Sequence, residues 1–308
     1  MTLIVPTPHE VFDLTMADGA SIRVRRHGNP KGARLVLCHG NGFAIDAYEP
    51  FWSLLTDRFD VVLYDQRNHG QNLRHRLEAH DVPNFVSDME EIFNAIRDRL
   101  GVALTVGVFH SISAVTSIWH ALQYGKRWDA LVLCDPALIP GPGLPEHNVA
   151  RTFELALAKW SKSRPNLFSD PSELAVCFSK SYSLRRWVPG AHELMARSIL
   201  RQEQETGRWS LCCPPEYESR IYMTNSTLHL THRFNELPLP VQLICADPDQ
   251  ADAQAPAKVG RSLHVLYGCA YEAIPNTSHM LLIEKPAECA GSLVAFLDRQ
   301  KFDSMLAL

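Results

Sequence analysis

Six short, mostly apolar runs recur along the chain: Arg34 to Cys38, Asp60 to Asp65, Leu104 to Phe109, Ala130 to Asp135, Val241 to Ala246, and a stretch around Val265 to Ile274. Runs that are apolar almost throughout suit strands covered on both faces. The stretches between them carry helical periodicity, and strand, helix, strand in alternation specifies a parallel sheet with right-handed crossovers. Two earlier runs, Val11 to Met16 and Ser21 to Val24, flank Ala17-Asp18-Gly19-Ala20, an Asp-Gly hairpin signal.

One helix can be read residue by residue. Met89, Ile92, Phe93, Ile96 and Leu100 share a face, Ser87 and Glu90 form a capping box, and Gly101 ends it. Helices are also expected from Ser111 to Tyr124, closed by Gly125, and from Ala287 to Leu297 after Pro286. The alternation breaks after Asp135, where Pro140, Pro142 and Pro145 open about a hundred residues of mostly helical pattern that close at Pro238 and Pro240. Residues 137–237 are therefore expected to form a helical cap on a core built from 1–136 and 238–308. Its aromatics, among them Phe153, Trp160, Phe178, Trp187 and Tyr222, would form its own core and line an apolar pocket.

Thirty basic against 34 acidic residues give a formal charge of -4 in 308 residues, which offers no electrostatic footprint for nucleic acid or an anionic membrane. No stretch reaches the roughly 18 apolar residues of a membrane span, and the first ten residues lack a basic and then apolar leader, so a cytoplasmic address is expected. The eight cysteines form no C-x-x-C pair or zinc-spaced cluster and are read as reduced, with Cys38, Cys134 and Cys245 in the core.

Three segments at strand ends carry chemistry. Ser111 lies in Phe109-His110-Ser111-Ile112-Ser113, between a strand and a helix, where a nucleophile elbow lifts a hydroxyl above the sheet edge; the same position also suits a helix N-cap. His39-Gly40-Asn41-Gly42 follows another strand, and its glycines let backbone N–H groups approach a ligand. His279 lies in the loop after the last strand, and an imidazole there is the side-chain type suited to take the seryl proton. A carboxylate should orient it. Asp249 is preferred, with Asp247 and Asp135 as alternatives.

With these residues the chain resembles the α/β-hydrolase superfamily, specifically its soluble, capped serine-esterase type. His39-Gly40 is similar to the family's oxyanion loop, Asp65-Gln66-Arg67-Asn68-His69-Gly70 to its Asp-x-Arg-x-His-Gly turn, and Ser278-His279 with Glu284-Lys285-Pro286 to its histidine loop. The family usually has Gly where Phe109 stands, and more often Gly than Ser at 113. The elbow itself is similar to that of bacterial stress-regulator hydrolases and of strigolactone and karrikin receptors. Dehalogenases and epoxide hydrolases of this fold carry Asp at the elbow, so Ser111 argues for acyl chemistry, although Asn41 resembles the dehalogenases' halide-binding position.

The resemblance implies a mostly parallel eight-stranded sheet with helices on both faces and the cap between strands 6 and 7. It implies a serine hydrolase acting on a small or medium apolar ester, thioester or lactone, with no cofactor or metal, as a monomer or homodimer. Ser111, His279 and Asp249 would be the triad. Backbone N–H groups of Asn41 or Gly42 and of Ile112 would hold the oxyanion, and Phe43, His110, Trp160 and Trp187 would be pocket residues. The rival expectations are a slow-turnover signalling receptor and a biosynthetic thioesterase or acyl transferase.

Overall fold

The computed structural model of the chain describes residues 2–300. Eight strands form the main sheet: β1 (Glu10–Thr15), β2 (Ser21–Gly28), β3 (Arg34–Cys38), β4 (Asp60–Tyr64), β5 (Thr105–His110), β6 (Ala130–Cys134), β7 (Val241–Ala246) and β8 (Ala270–Ile274). Their order is β1-β2-β4-β3-β5-β6-β7-β8. β1 and β2 form the antiparallel hairpin, β2 pairs antiparallel to β4, and every pair from β4 to β8 is parallel. The expected mostly parallel eight-stranded sheet is therefore present.

The wholly buried strands follow from helices on both faces. In β3, Leu35 and Leu37 enter the core beneath Trp52 and Phe296, while Val36 and Cys38 enter the opposite core with Trp128 and Ile92. Helices α1 (Val82–Leu100) and α2 (Ile112–Tyr124) contribute to that second core. α1 starts earlier than expected. Its N-cap is Asp81, whose side chain accepts from Asn84 N–H at 3.0 Å, and Pro83 sits in the first turn. Ser87 lies in the next turn and bonds back to the Pro83 carbonyl, so it caps nothing.

Between β6 and β7 the chain leaves the sheet and builds α3 (His147–Ser163), α4 (Pro171–Lys180), α5 (Ala191–Ile199) and α6 (Pro215–Asn225). A three-stranded antiparallel sheet of Leu167–Phe168, Trp209–Leu211 and Leu200–Gln202 also lies there, which the helical pattern had not indicated. α7 (Ala255–Tyr267) occupies part of the run expected as the last strand: Val265 to Tyr267 close the helix, Gly268 at φ 66° ends it, and only Ala270–Ile274 is extended. α8 (Pro286–Arg299) follows. No helix among the described residues is long and apolar enough to cross a membrane.

Candidate active site

The site is assembled at the carboxyl ends of β3, β5, β6 and β8. β5 ends at His110, and Ser111 then adopts φ 57°, ψ -117°, a sparsely populated conformation that costs on the order of 1–3 kcal/mol and persists only when its surroundings enforce it. They do. Ser111 N–H donates to the Cys134 carbonyl at 3.0 Å, and Ser113 Oγ accepts the His110 N–H at 2.9 Å. The Ser113 hydroxyl in turn faces the carbonyls of His110 and Cys38, at 2.8 and 3.1 Å. Ser113 is thus the turn's brace, and Gly40 lets the next loop lie against it: a Cβ there would sit 3.0 Å from Ser111 Cβ and from His110 Nδ1.

The β5–β6 register pairs His110 with Cys134, so Asp135 rises next to Ser111. Asp135 has φ 43° and a fully buried side chain. Its Oδ2 lies 2.6 Å from His279 Nδ1, its Oδ1 accepts Ala246 N–H at 3.1 Å, and His279 Nε2 lies 2.9 Å from Ser111 Oγ. Hydroxyl, imidazole and carboxylate form one unbroken chain.

The preferred carboxylate, Asp249, is not in it. Asp249 is exposed and paired with Arg261 at 2.5 Å, because Asp247 folds the segment into a turn by accepting Asp249 N–H at 3.0 Å. Asp247 also accepts Asn276 N–H at 2.9 Å, so it braces the histidine loop from outside and never meets the ring. That loop is fixed further by Ser278, whose N–H donates to Glu284 Oε2 at 2.7 Å and whose hydroxyl bonds Glu284 Oε1.

The two glycine-flanked amides also separate. Gly42 N–H donates to His69 Nε2 at 3.1 Å, so the expected Gly42 donor is already committed. The N–H groups of Asn41 and Ile112 have no acceptor among the described residues and remain available. The Asp-x-Arg-x-His-Gly turn explains this. Arg67 is tied to Asp88 and Asp18 at 2.6 Å each, and with that turn fixed, His69 holds the loop carrying Gly40 and Asn41. His69, His80 and Cys213 place donor atoms within 4.8 Å of one another. Both His69 nitrogens and His80 Nδ1 are already hydrogen-bonded, leaving too few donors to hold a metal.

His110 is not a pocket residue. It is buried, and burial, with His279 nearby, holds it neutral, well below the usual imidazole range. Its Nε2–H donates to the His279 carbonyl at 2.8 Å, which leaves Nδ1 to accept the Tyr48 hydroxyl at 2.8 Å, while Tyr48 accepts Gly40 N–H at 3.3 Å. One ring therefore ties the histidine loop to the amide loop. Trp187 is also behind the wall, packed edge-on to Phe43 at 6.2 Å and stacked on His192.

Above Ser111 and His279 lies a cavity of about 340 Å³. Phe43 and Trp160 line it as expected, with Phe153, Phe178 and Tyr222. Its wall is not wholly apolar: Glu154, Arg164 and Glu218 also face it. Glu154 could have been noticed in the sequence, because it interrupts the apolar stripe Ala150, Phe153, Leu157, Ala158 of α3. Burial pushes its carboxyl from 4.5 up to about 8, against a smaller opposing effect of the Asn225 bond. The neutral acid is the favoured buried form. The stability it contributes is therefore full below about pH 4.5 and lost as pH rises through about 8. Thermal melts should show the protein losing stability over that window relative to Glu154→Gln, and parallel pH profiles for the two would contradict this.

The match to the alpha/beta hydrolase family model covers residues 35–292. The Caulobacter sp. (strain K31) protein provisionally named carbamate hydrolase RutD is 29% identical over 134 residues, 43% of this chain and 47% of that protein. The chain thus spans about half the length of the curated relatives it matches first. A Bacillus subtilis protein named as an uncharacterised hydrolase, YugF, is 22% identical over 91% of this chain and 95% of its own. The solved structure of E-2-(acetamidomethylene)succinate hydrolase superposes with a TM-score of 0.76 at 17% identity, covering 94% of this chain and all of that one, a likeness of fold alone. With its sheet order, strained seryl turn and matched span in agreement, the chain belongs to the alpha/beta hydrolase family.

Proposed function

We propose that this hydrolase cleaves a small or medium carboxylic ester, or a related thioester or lactone, through an acyl-enzyme on Ser111. The observation that carries the reading is the continuous Ser111–His279–Asp135 chain, at 2.9 and 2.6 Å, open to a cavity of ester size. His279 Nε2 takes the hydroxyl proton as Ser111 Oγ attacks the carbonyl carbon. The amides of Asn41 and Ile112 hold the resulting oxyanion, each worth about 3–4 kcal/mol by analogy with other such donors. Collapse breaks the bond to the leaving alcohol, which takes the proton from His279. Water then gives its proton to the same nitrogen, attacks the acyl carbon and frees the acid, and the proton returns to Ser111.

The segment between β6 and β7 serves as the cap, and its aromatic residues seat the acyl group. Amide and carbamate substrates, which the names of the relatives suggest, would use the same atoms. A cytoplasmic address suits eight cysteines of which none is in a disulfide.

A fluorophosphonate should label the protein on Ser111, and Ser111→Ala should abolish both labelling and saturable turnover of short p-nitrophenyl esters. Labelling that survives the substitution, or an adduct mapped to Ser113, would overturn the assignment. Binding of such esters without turnover would favour a receptor.

A further inference from the structure

Glu154 is 3% exposed, lines the cavity, and its Oε2 has no hydrogen-bond partner among the described residues. Asn225 beside it is uncharged, and its Nδ2 donates to the Ala137 carbonyl at 2.8 Å. The cation nearest to hand is committed elsewhere: Arg164 Nη1 lies 2.7 Å from Glu218 Oε2, with both side chains nearly buried, and its guanidinium sits 5.4 Å from the centre of the Trp160 ring. Arg164 and Glu218 cancel, which leaves one carboxyl unbalanced in a wall whose other surfaces include Phe153, Trp160 and Tyr222.

A buried carboxyl with a free oxygen, in a cavity wall that also carries Phe153 and Tyr222, matches the chemistry of an organic ammonium, whose N–H groups need an acceptor and whose charge is attracted to aromatic rings. We propose that Glu154 recognises a protonated primary or secondary amine on the substrate, making the preferred substrate an acyl compound with an aminoalkyl end. The inference deepens the reading given above and rests on it for the ligand's cleavage, though not for its binding. An apolar ester alone would leave Glu154 unpaired.

Proton linkage makes this testable. At pH 7 the Glu154 carboxyl, raised to about 8, is largely protonated, and a cation pairs with the carboxylate, so its binding must expel a proton. The other titratable groups of the wall are Glu218 and Tyr222 on α6, Arg164 beyond α3, and His279 on the sheet rim. Gln254 and Pro256, on the α7 side, carry no charge. Burial raises Glu218 while Arg164 opposes it, so Glu154→Gln separates the two acids.

The experiment is titration calorimetry of the intact protein with 3-phenylpropylammonium, with 3-phenylpropanol as neutral isostere and 3-phenylpropionate as anion, in two buffers of different ionisation enthalpy. The expected result is ammonium binding at least about tenfold tighter than the alcohol, with release of close to one proton at pH 7. Its affinity should rise up to about tenfold per pH unit towards pH 8, well below the amine's own titration near about 10. Glu154→Gln should remove both the preference and the proton release.

Equal or tighter binding of the alcohol or the carboxylate, no proton released, or a preference that survives Glu154→Gln would overturn the proposal. The proton count needs no variant, so it decides the matter even if Glu154→Gln folds poorly. Ammonium binding with proton release but no ester turnover would refute the hydrolytic reading and leave this one standing. Ester turnover without ammonium binding would do the reverse.

Discussion

Asp135→Asn is expected to lower kcat on a p-nitrophenyl ester by about 10⁴-fold, with KM little changed. Asp135 Oδ1 accepts Ala246 N–H at 3.1 Å while Oδ2 takes the His279 Nδ1–H at 2.6 Å. An asparagine must turn its oxygen to the Ala246 amide, because an NH₂ group there would face another donor. That orientation presents NH₂ to His279 Nδ1, which can then only accept. The proton moves to Nε2, the atom that has to receive the Ser111 hydroxyl proton, and the ring is left in the wrong tautomer. The loss corresponds to about 5 kcal/mol of transition-state stabilisation at roughly 1.4 kcal/mol per factor of ten. Asp249→Asn removes only an exposed pair with Arg261, worth little, and should stay within a few-fold of the unmodified protein. Steady-state kinetics of the two variants decide it; a comparable fall in Asp249→Asn would place the carboxylate in the wrong loop.

The reason that Asp135, and neither Asp249 nor Asp247, meets His279 is geometric. Asp135 and Asp247 each follow a buried strand directly, and hydrophobic patterning treats them alike. What separates them is lateral register, which pairs His110 with Cys134 and so sets Asp135 beside Ser111, and register across parallel strands leaves no mark in local sequence. Ser111 and His279 were legible because each sits at a strand-to-loop transition that periodicity reveals. Gly42 signals only a permissive backbone, φ 77° here; that His69 accepts its N–H depends on a turn 27 residues away. Tertiary bonding also explains why His110, adjacent to Ser111 in sequence, is a tie between Tyr48 and the His279 carbonyl and makes no wall. Val265 to Tyr267 were apolar enough for a strand, yet they continue the α7 helix whose inward face carries Val259 and Leu263. Short β-strands such as Leu167–Phe168 fall below the length at which alternation can be seen at all.

Phe109→Ala should cost about 3–5 kcal/mol of stability, the range for emptying a buried aromatic site. Phe109 has no exposed surface, and its ring lies edge-on to Trp128 at 5.4 Å. β-strand alternation puts residue 107 on the same face, and there the chain has a glycine: a Cβ at Gly107 would lie 2.3 Å from Phe109 Cε2 and 2.8 Å from Leu131 Cδ2. The ring folds down over Gly107 into the core beside α1 and α2 and leaves the Ser111 turn clear. Gly107→Ala alone should therefore be destabilising by about 1–3 kcal/mol through overpacking. Combined with Phe109→Ala, most of that penalty should vanish, since the ring that the new methyl would strike is gone and only the end of Leu131 must shift. Urea unfolding of both single variants and the double variant gives the coupling directly, expected at about 1–2 kcal/mol in favour of the double variant. Strict additivity would mean that the ring and the glycine do not share the same space.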